Sequence, residues 1–389
     1  FIYDVSLPTT TVFKPVSDGK YGKNNLLTTI SGTCSDTGSS VNKVDVVLKN
    51  IDGYYFDPIT QTWKDAVDGI IWSTTTLTAD YTTWYVMVST TKYTSGVDYM
   101  VWARVYDNAG NLSTYPNSTI ERNTGGNKFR WDTANPNSYV NYISSGRYIN
   151  FYPQTLSGTS DDPGGSGVSA IKLRLKRDPA DGGLPWWVGG AWQNDTQWYY
   201  TVTPGWSWGS AGVTWQDNHQ YTVLTRAQDN AANIEGDGAG NENTVRASVF
   251  TIDMSSPTTT IAAPGLPYYQ NLSTLSGGSS DPNTYASGVK GVDISIYDGT
   301  KYFNGTNWVI GSETYIKAST PTTTTWQYVI NTSTWTDSTT YYIKTKSYDF
   351  ATNTQTVATA EQFICDRSSP TAYTTNPPDG TTGLAQLPT

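Results

Sequence analysis

The stretch Tyr99-Met100-Val101-Trp102-Ala103-Arg104-Val105-Tyr106-Asp107-Asn108-Ala109-Gly110-Asn111 reads as a β-strand running into a tight turn. Side chains on a strand alternate between faces. Tyr99, Val101, Ala103 and Val105 therefore share a face expected to look inward, while Arg104 belongs to the other, expected solvated, face. The pattern occurs twice more. Tyr221, Val223, Thr225 and Ala227 lead to Asp229-Asn230-Ala231-Ala232-Asn233, and Tyr341, Ile343, Thr345 and Ser347 lead to Asp349-Phe350-Ala351-Thr352-Asn353, with Arg226 and Lys346 in the place of Arg104. One dry face and one wet face indicate an antiparallel sheet, since a buried parallel sheet would show continuous apolar runs.

Working outward, Phe-x-x-Asp-x-x-x-Pro occurs at Phe1/Asp4/Pro8, Phe129/Asp132/Pro136, Phe250/Asp253/Pro257 and Phe363/Asp366/Pro370, at spacings of 128, 121 and 113 residues. Each interval holds a Ser-Gly step (Ser31-Gly32, Ser157-Gly158, Ser276-Gly277) and then an alternating apolar segment, as in Ile171-Lys172-Leu173-Arg174-Leu175. A hairpin Trp follows at Trp63, Trp192 and Trp308, and a second Trp is aligned at Trp84, Trp198 and Trp326. Landmarks recurring in one order define an internal repeat. The repeats are set at 8–132, 133–253 and 254–366, with 1–7 as the end of a preceding copy and 367–389 as the start of a following one, so the chain is expected to be an excerpt of a longer array. Each copy has the length and turn spacing of a β-sandwich.

Composition agrees. Charged residues are only 15%, aromatics reach 13%, and Thr is the commonest residue among 35 Gly and 19 Pro, which favours strands and turns over helices. One His and two Cys exclude zinc cages and disulfide frameworks, and any Ser-His-Asp chemistry would rest on His219 alone. Net charge of -9 argues against nucleic acid. No apolar run approaches the roughly 18 residues a membrane helix needs, so no membrane insertion is expected in this segment.

Asp217-x-x-x-Tyr221-x-Val223 and Asp337-x-x-x-Tyr341-x-Ile343 resemble the Asp-x-x-x-Tyr-x-Cys approach to strand F of immunoglobulin domains, with an aliphatic residue replacing the cysteine. The first copy departs from it, with Asp98 beside Tyr99. Together with the closing turns, this is similar to the bacterial Ig-like modules strung in large surface and secreted proteins. The resemblance implies an all-β fold of three tandem Ig-like antiparallel β-sandwiches forming an elongated rod, with Tyr221 and Tyr341 as tyrosine-corner residues. Cys34 and Cys365 lie in different copies and are expected to be unpaired.

Candidate sites are few. The turn aspartates Asp107 and Asp229 and the linker aspartates Asp132, Asp253 and Asp366 could offer oxygen ligands to Ca²⁺, as in cadherin-like arrays, although Asp, Asn and Gly also populate turns for conformational reasons. No other cofactor is implied. Trp186, Trp187, Trp206 and Trp208 sit among Gly and Pro with no counterparts in the other copies, and could stack on sugars or a protein partner, or simply close a longer loop. Sequons at Asn111, Asn117, Asn194, Asn271, Asn304 and Asn331 mark loops open to glycosylation. Asp161-Asp162 lies in a Gly/Pro turn without the converging partner a glycosidase needs.

The expected function is non-catalytic: a spacer or filament-forming adhesive array, extracellular or on a bacterial surface, whose partners are other copies of itself or cell-surface proteins and glycans. The alternatives are a carbohydrate-binding accessory region of a larger secreted enzyme, or a surface-layer or sheath component.

Overall fold

The computed structural model describes residues 3–65, 69–113, 119–120, 122, 124–178, 183–195, 198, 200–203, 205–238, 246–322 and 324–373. They fall into two compact units. One consists of the chain up to Gly146 with Pro153–Thr214 and Tyr221–Phe250, and the other of Arg147–Tyr152, Trp215–Gln220 and the chain from Thr251 onward. Three β-sandwiches follow one another in sequence across these units. Among the described residues, no helix is long and apolar enough to cross a membrane.

In the first sandwich the smaller sheet runs Thr9–Lys14, Thr29–Ser35, Thr83–Met87, Thr76–Leu77. The larger runs Gly19–Tyr21, Asn127–Trp131, Val97–Asp107, Val41–Asn50, Tyr55–Asp57, Thr62–Lys64. The third sandwich repeats this order, from Thr258–Thr259, Thr274–Ser280, Thr325–Val329 and Ser319–Thr322 to a sheet centred on Val289–Tyr297 and Thr339–Asp349. This is the Ig-like arrangement, with the extra hairpin beyond the central strands that variable-type domains carry. One pairing departs from the antiparallel expectation. Gly19–Tyr21 pairs in parallel with Asn127–Trp131, and Tyr268–Tyr269 with Thr359–Cys365, because the opening strand changes sheets without reversing direction.

The expected inward faces are buried: Tyr99, Val101, Ala103 and Val105 in the first sandwich, and their counterparts in the other two. Each motif Phe stacks on the corner tyrosine, with ring centroids 5.2 Å apart for Tyr99 and Phe129, 5.6 Å for Tyr221 and Phe250, and 5.4 Å for Tyr341 and Phe363. The hairpin Trp covers the other side of that tyrosine, at 5.4 Å for Trp63, 5.9 Å for Trp192 and 5.6 Å for Trp308. Three aromatic rings thus form the centre of each core. Such pairs add about 0.5 to 1.5 kcal/mol beyond simple burial.

The Ser-Gly step has a packing cause. Gly32 lies opposite Trp84 and Gly277 opposite Trp326, and a Cβ at either glycine would collide with the indole. In the second sandwich the indole over Gly158 is that of Trp206. Trp206, not Trp198, is therefore the counterpart of Trp84 and Trp326. Trp198 instead joins Trp186, Val188 and Leu224 in a small outer cluster.

The outward cations are not simply solvated. The Arg104 guanidinium donates to Asp45 Oδ2 at 3.1 Å and lies 3.9 Å from the Trp72 ring centroid, while Arg226 stacks on Trp198 at 4.8 Å. Lys346 reaches the Tyr315 ring at 5.1 Å. Aromatic neighbours on the outer face provide the cation–π contacts that hold them. Cys34 and Cys365 are free and buried.

The corner hydrogen bonds are short. The Thr94 and Thr336 backbone N–H groups donate to Tyr99 Oη and Tyr341 Oη, each at 2.7 Å. Tyr99 is thus a corner residue despite its departure from the motif. Tyr341→Phe is expected to lower stability by about 1 to 2 kcal/mol in urea unfolding, because the Thr336 N–H loses its acceptor while the ring stack stays.

Candidate metal centre

The last core strand of each sandwich ends in a turn whose geometry is set by one Asp–Asn pair. Asn111 donates its backbone N–H to Asp107 Oδ1 at 2.8 Å and its side-chain Nδ2 to Asp107 Oδ2 at 2.7 Å. Asn233 does the same to Asp229, both at 2.8 Å, and Asn353 to Asp349 at 2.7 and 2.8 Å. The residue before each Asn has a left-handed backbone, with φ of 91° at Gly110, 66° at Ala232 and 76° at Thr352. Only the first copy places glycine there, so two turns hold this shape against a local preference.

The same Asn reaches the linker. Its Nδ2 donates to the backbone carbonyl of Asp4 at 3.1 Å, Asp132 at 2.9 Å and Asp253 at 2.8 Å. Each linker carboxylate then accepts from two backbone N–H groups: Asp132 from Ala134 at 2.9 Å and Ser166 at 2.7 Å, and Asp253 from Ser255 at 3.2 Å and Ser287 at 2.6 Å. Asp4 repeats this with Ser6 and Ser39. The linker Asp is also tied backward, since the Asp132 N–H donates to Tyr21 O at 2.8 Å and the Asp253 N–H to Ile149 O at 2.9 Å.

The aspartate that opens the Asp-x-x-x-Tyr approach serves this linker too. Asp217 Oδ1 accepts the Met254 N–H at 2.7 Å, and Asp337 Oδ1 accepts the Arg367 N–H at 2.7 Å. Ser95 stands at that position in the first copy, where its Oγ accepts the Thr133 N–H at 2.8 Å.

A third carboxylate completes each cluster. Asp36, Asp162 and Asp281 join their turn and linker partners to give Asp4–Asp36–Asp107, Asp132–Asp162–Asp229 and Asp253–Asp281–Asp349, each with one carboxylate oxygen per residue within 4.8 Å of the others. In each added residue Oδ2 accepts a glycine N–H, from Gly38 at 3.1 Å, Gly167 at 2.7 Å and Gly288 at 2.8 Å. Its Oδ1 is buried without a hydrogen-bond partner in all three cases. Among the described residues, none of the nine carboxylates forms an ion pair.

Crowded, dehydrated carboxylates resist ionisation. Burial, aided by Asp132 and Asp162, raises Asp229 to about 6, and burial with Asp253 and Asp349 raises Asp281 to about 6. Asp162 and Asp349 are also shifted upward, chiefly by burial. The solvent-open Asp4 is lowered by its hydrogen bonds with Ser6 and Ser39. Three oxygens of one sign, with no nitrogen or sulfur donor, form a set suited to a hard divalent cation.

The fold brings the candidates Asp107, Asp132, Asp229 and Asp253 into these clusters, together with Asp4 and Asp349, which stand in the same motifs but are not singled out as ligands, and Asp36, Asp162 and Asp281, which stand outside them. A signal for those existed, since each lies four residues after the glycine of its Ser-Gly step. Asp366 repeats the linker pattern by accepting the Ser368 N–H at 3.0 Å, and residues 374–389 lie outside the described residues. Phe350 and Thr352 do not disturb the third cluster, because Asp349 and Asn353 make its contacts.

The aromatic candidates fare differently. Trp186, Trp187 and Trp206 are buried, so these rings close the second sandwich and offer no exposed platform, while Trp208 is half-buried against Tyr200 at 4.8 Å. The Asn111 amide is occupied by Asp4 and Asp107, which makes it a poor glycan acceptor. Asn194, Asn271, Asn304 and Asn331 are exposed, and Asn117 lies outside the described residues. His219 Nδ1 is 2.8 Å from Asp217 O in the turn that clamps the linker.

No family model and no curated protein matches the chain. Among solved structures, it aligns with a tetra-tandem repeat in the extending region of a large adhesion protein, at 16% identity and TM-score 0.32 over 94% of this chain and 75% of that one. A structure of a 1.5-MDa bacterial ice-binding adhesin aligns at 14% identity and TM-score 0.34, over 93% and 98%. Three N-terminal domains of the bacteriophage RB49 highly immunogenic outer capsid protein align at 9% and 0.35, over 94% and 99%.

Proposed function

We propose that this chain is a non-catalytic, extracellular array of Ig-like modules with an adhesive or structural role, in which Ca²⁺ held by each three-aspartate cluster fastens a linker to the module that follows. The supporting observation is the threefold recurrence of one cluster with one hydrogen-bond scheme and one buried, unpartnered Oδ1. A cation there would neutralise the repulsion among the carboxylates, and the linker Asp would bind it while its backbone is gripped on both sides. The chain's partners would be surface proteins, glycans or further copies of itself.

Calorimetric titration of chelator-stripped, dialysed protein with CaCl₂ tests this. Saturable binding is expected at up to three sites, with dissociation constants of about 10⁻⁴ to 10⁻³ M, as in extracellular modules. Asp162→Asn and Asp281→Asn should each remove one site. Absence of any saturable heat at about 10 mM CaCl₂ overturns the reading.

A further inference from the structure

The outer face of the larger sheet differs among the three sandwiches. In the first, Val47 pairs with Trp102 and Lys49 with Met100 and Tyr55, and this face is covered by an apolar cluster of Val47, Tyr55, Trp102 and Ile120 with Ile70, Ile71 and Trp72 packed on it. In the second, Trp186 takes the position of Tyr55, and Trp186, Val188, Leu224 and Trp198 close the face. In the third, the same register positions carry Ser295 opposite Lys344, and Tyr297 opposite both Tyr342 and Tyr302. There the face is an open groove of about 350 Å³, lined by these five residues with Gly299 and Glu313.

Three tyrosine rings cross adjacent strands in a row. Tyr302 and Tyr297 stack with centroids 4.6 Å apart at 29°, and Tyr297 and Tyr342 lie 6.1 Å apart at 41°. Tyr297 Oη donates to Gly299 O at 2.6 Å, which fixes the central ring. Beside the row, Lys344 Nζ and Glu313 Oε1 pair at 3.0 Å, with both side chains exposed. Tyr342 is 42% exposed, and Ser295 is buried at the floor.

We infer that this groove of the third module binds a neutral oligosaccharide. Aromatic faces offer flat apolar area to the C–H face of a pyranose ring at small entropic cost. The adjoining carboxylate and ammonium supply an acceptor and a donor for its hydroxyls, while their charges cancel and so favour no charged ligand. The volume lies in the range of small-molecule sites that combine apolar walls with a few convergent polar groups. A peptide adding itself as a strand is disfavoured, because Val289–Tyr297 is already paired on both sides and the tyrosine row lies on the face of the sheet. None of the three aspartate clusters shares a residue with the groove.

The test is saturation-transfer NMR and calorimetry on the full chain with cellotetraose, maltotetraose, xylotetraose and N-acetylchitotetraose. Saturable binding of at least one is expected. Tyr342→Ala should weaken it by about tenfold, and Tyr342→Phe, which keeps the ring, by no more than about threefold. Melting temperatures of both variants should match the parent, which separates lost stacking from lost folding. Absence of binding by all four sugars at about 10 mM, as for a face that captures a peptide instead, overturns the inference. Binding that survives both Tyr297→Ala and Tyr342→Ala does the same.

Discussion

Saturating Ca²⁺ is expected to raise the main melting transition of the chain by about 10 °C over its value in chelator. A ligand at about 100 times its dissociation constant contributes roughly 2.7 kcal/mol per site, and for modules of about 120 residues each kcal/mol moves the midpoint by about 4 °C. The increment should depend on pH. Asp229 and Asp281 have folded-state values raised to about 6. In chelator their contribution to stability is therefore fully present below the unfolded-state value near 3.9 and is lost as pH rises through about 6. With Ca²⁺ the sign reverses, because protons and cation compete for the same oxygens. The gap between the two melting curves should be widest above pH 7 and should narrow as pH falls through about 6. Differential scanning calorimetry from pH 5 to 8 reads this, and coincident curves in Ca²⁺ and chelator at every pH would remove calcium from the account.

Trp206→Ala is expected to destabilise the second module by about 3 to 5 kcal/mol, enough to consume much of a typical domain's stability. The indole is 2% exposed and lies over Gly158, in the slot that Trp84 and Trp326 fill elsewhere. Trp198→Ala should cost less than about 2 kcal/mol, since that ring is only partly buried and stacks on arginines of the outer face. Hydrogen exchange by mass spectrometry on Thr155–Asp161 separates the two, with protection collapsing in the first variant and persisting in the second. The reverse order would restore Trp198 as the core residue.

These two tryptophans show where reading the repeats failed. Trp84 and Trp326 lie 52 and 49 residues after their Ser-Gly glycines, and Trp206 lies 48 after Gly158, whereas Trp198 lies only 40 after it. Alignment by order chose the first Trp in a crowded loop. Spacing from the glycine excludes Trp198 but leaves Trp206 and Trp208, at 48 and 50 residues, undecided, and only the packing of the Trp206 indole on Gly158 chooses between them. One aspartate of each three-membered cluster escaped the motifs in a similar way. Asp107 and Asp132 stand in visible motifs, but Asp36, Asp162 and Asp281, although each lies four residues after its Ser-Gly glycine, look like ordinary turn residues.

By itself the sequence determined the repeat, the two-faced strands, the tyrosine corner of the third copy and the absence of disulfides. These depend on local alternation and on residues recurring at one position per module, both of which survive projection onto a single dimension. Tertiary structure alone decided which carboxylates meet, since Asp132, Asp162 and Asp229 are far apart in the chain and converge only when a linker, a sheet loop and a turn are packed together. It alone decided that Trp186, Trp187 and Trp206 of the second copy are buried while Tyr342 of the third is exposed. Exposure is a property of what lies above a strand face, and strands of similar pattern are roofed by loops of different length and composition.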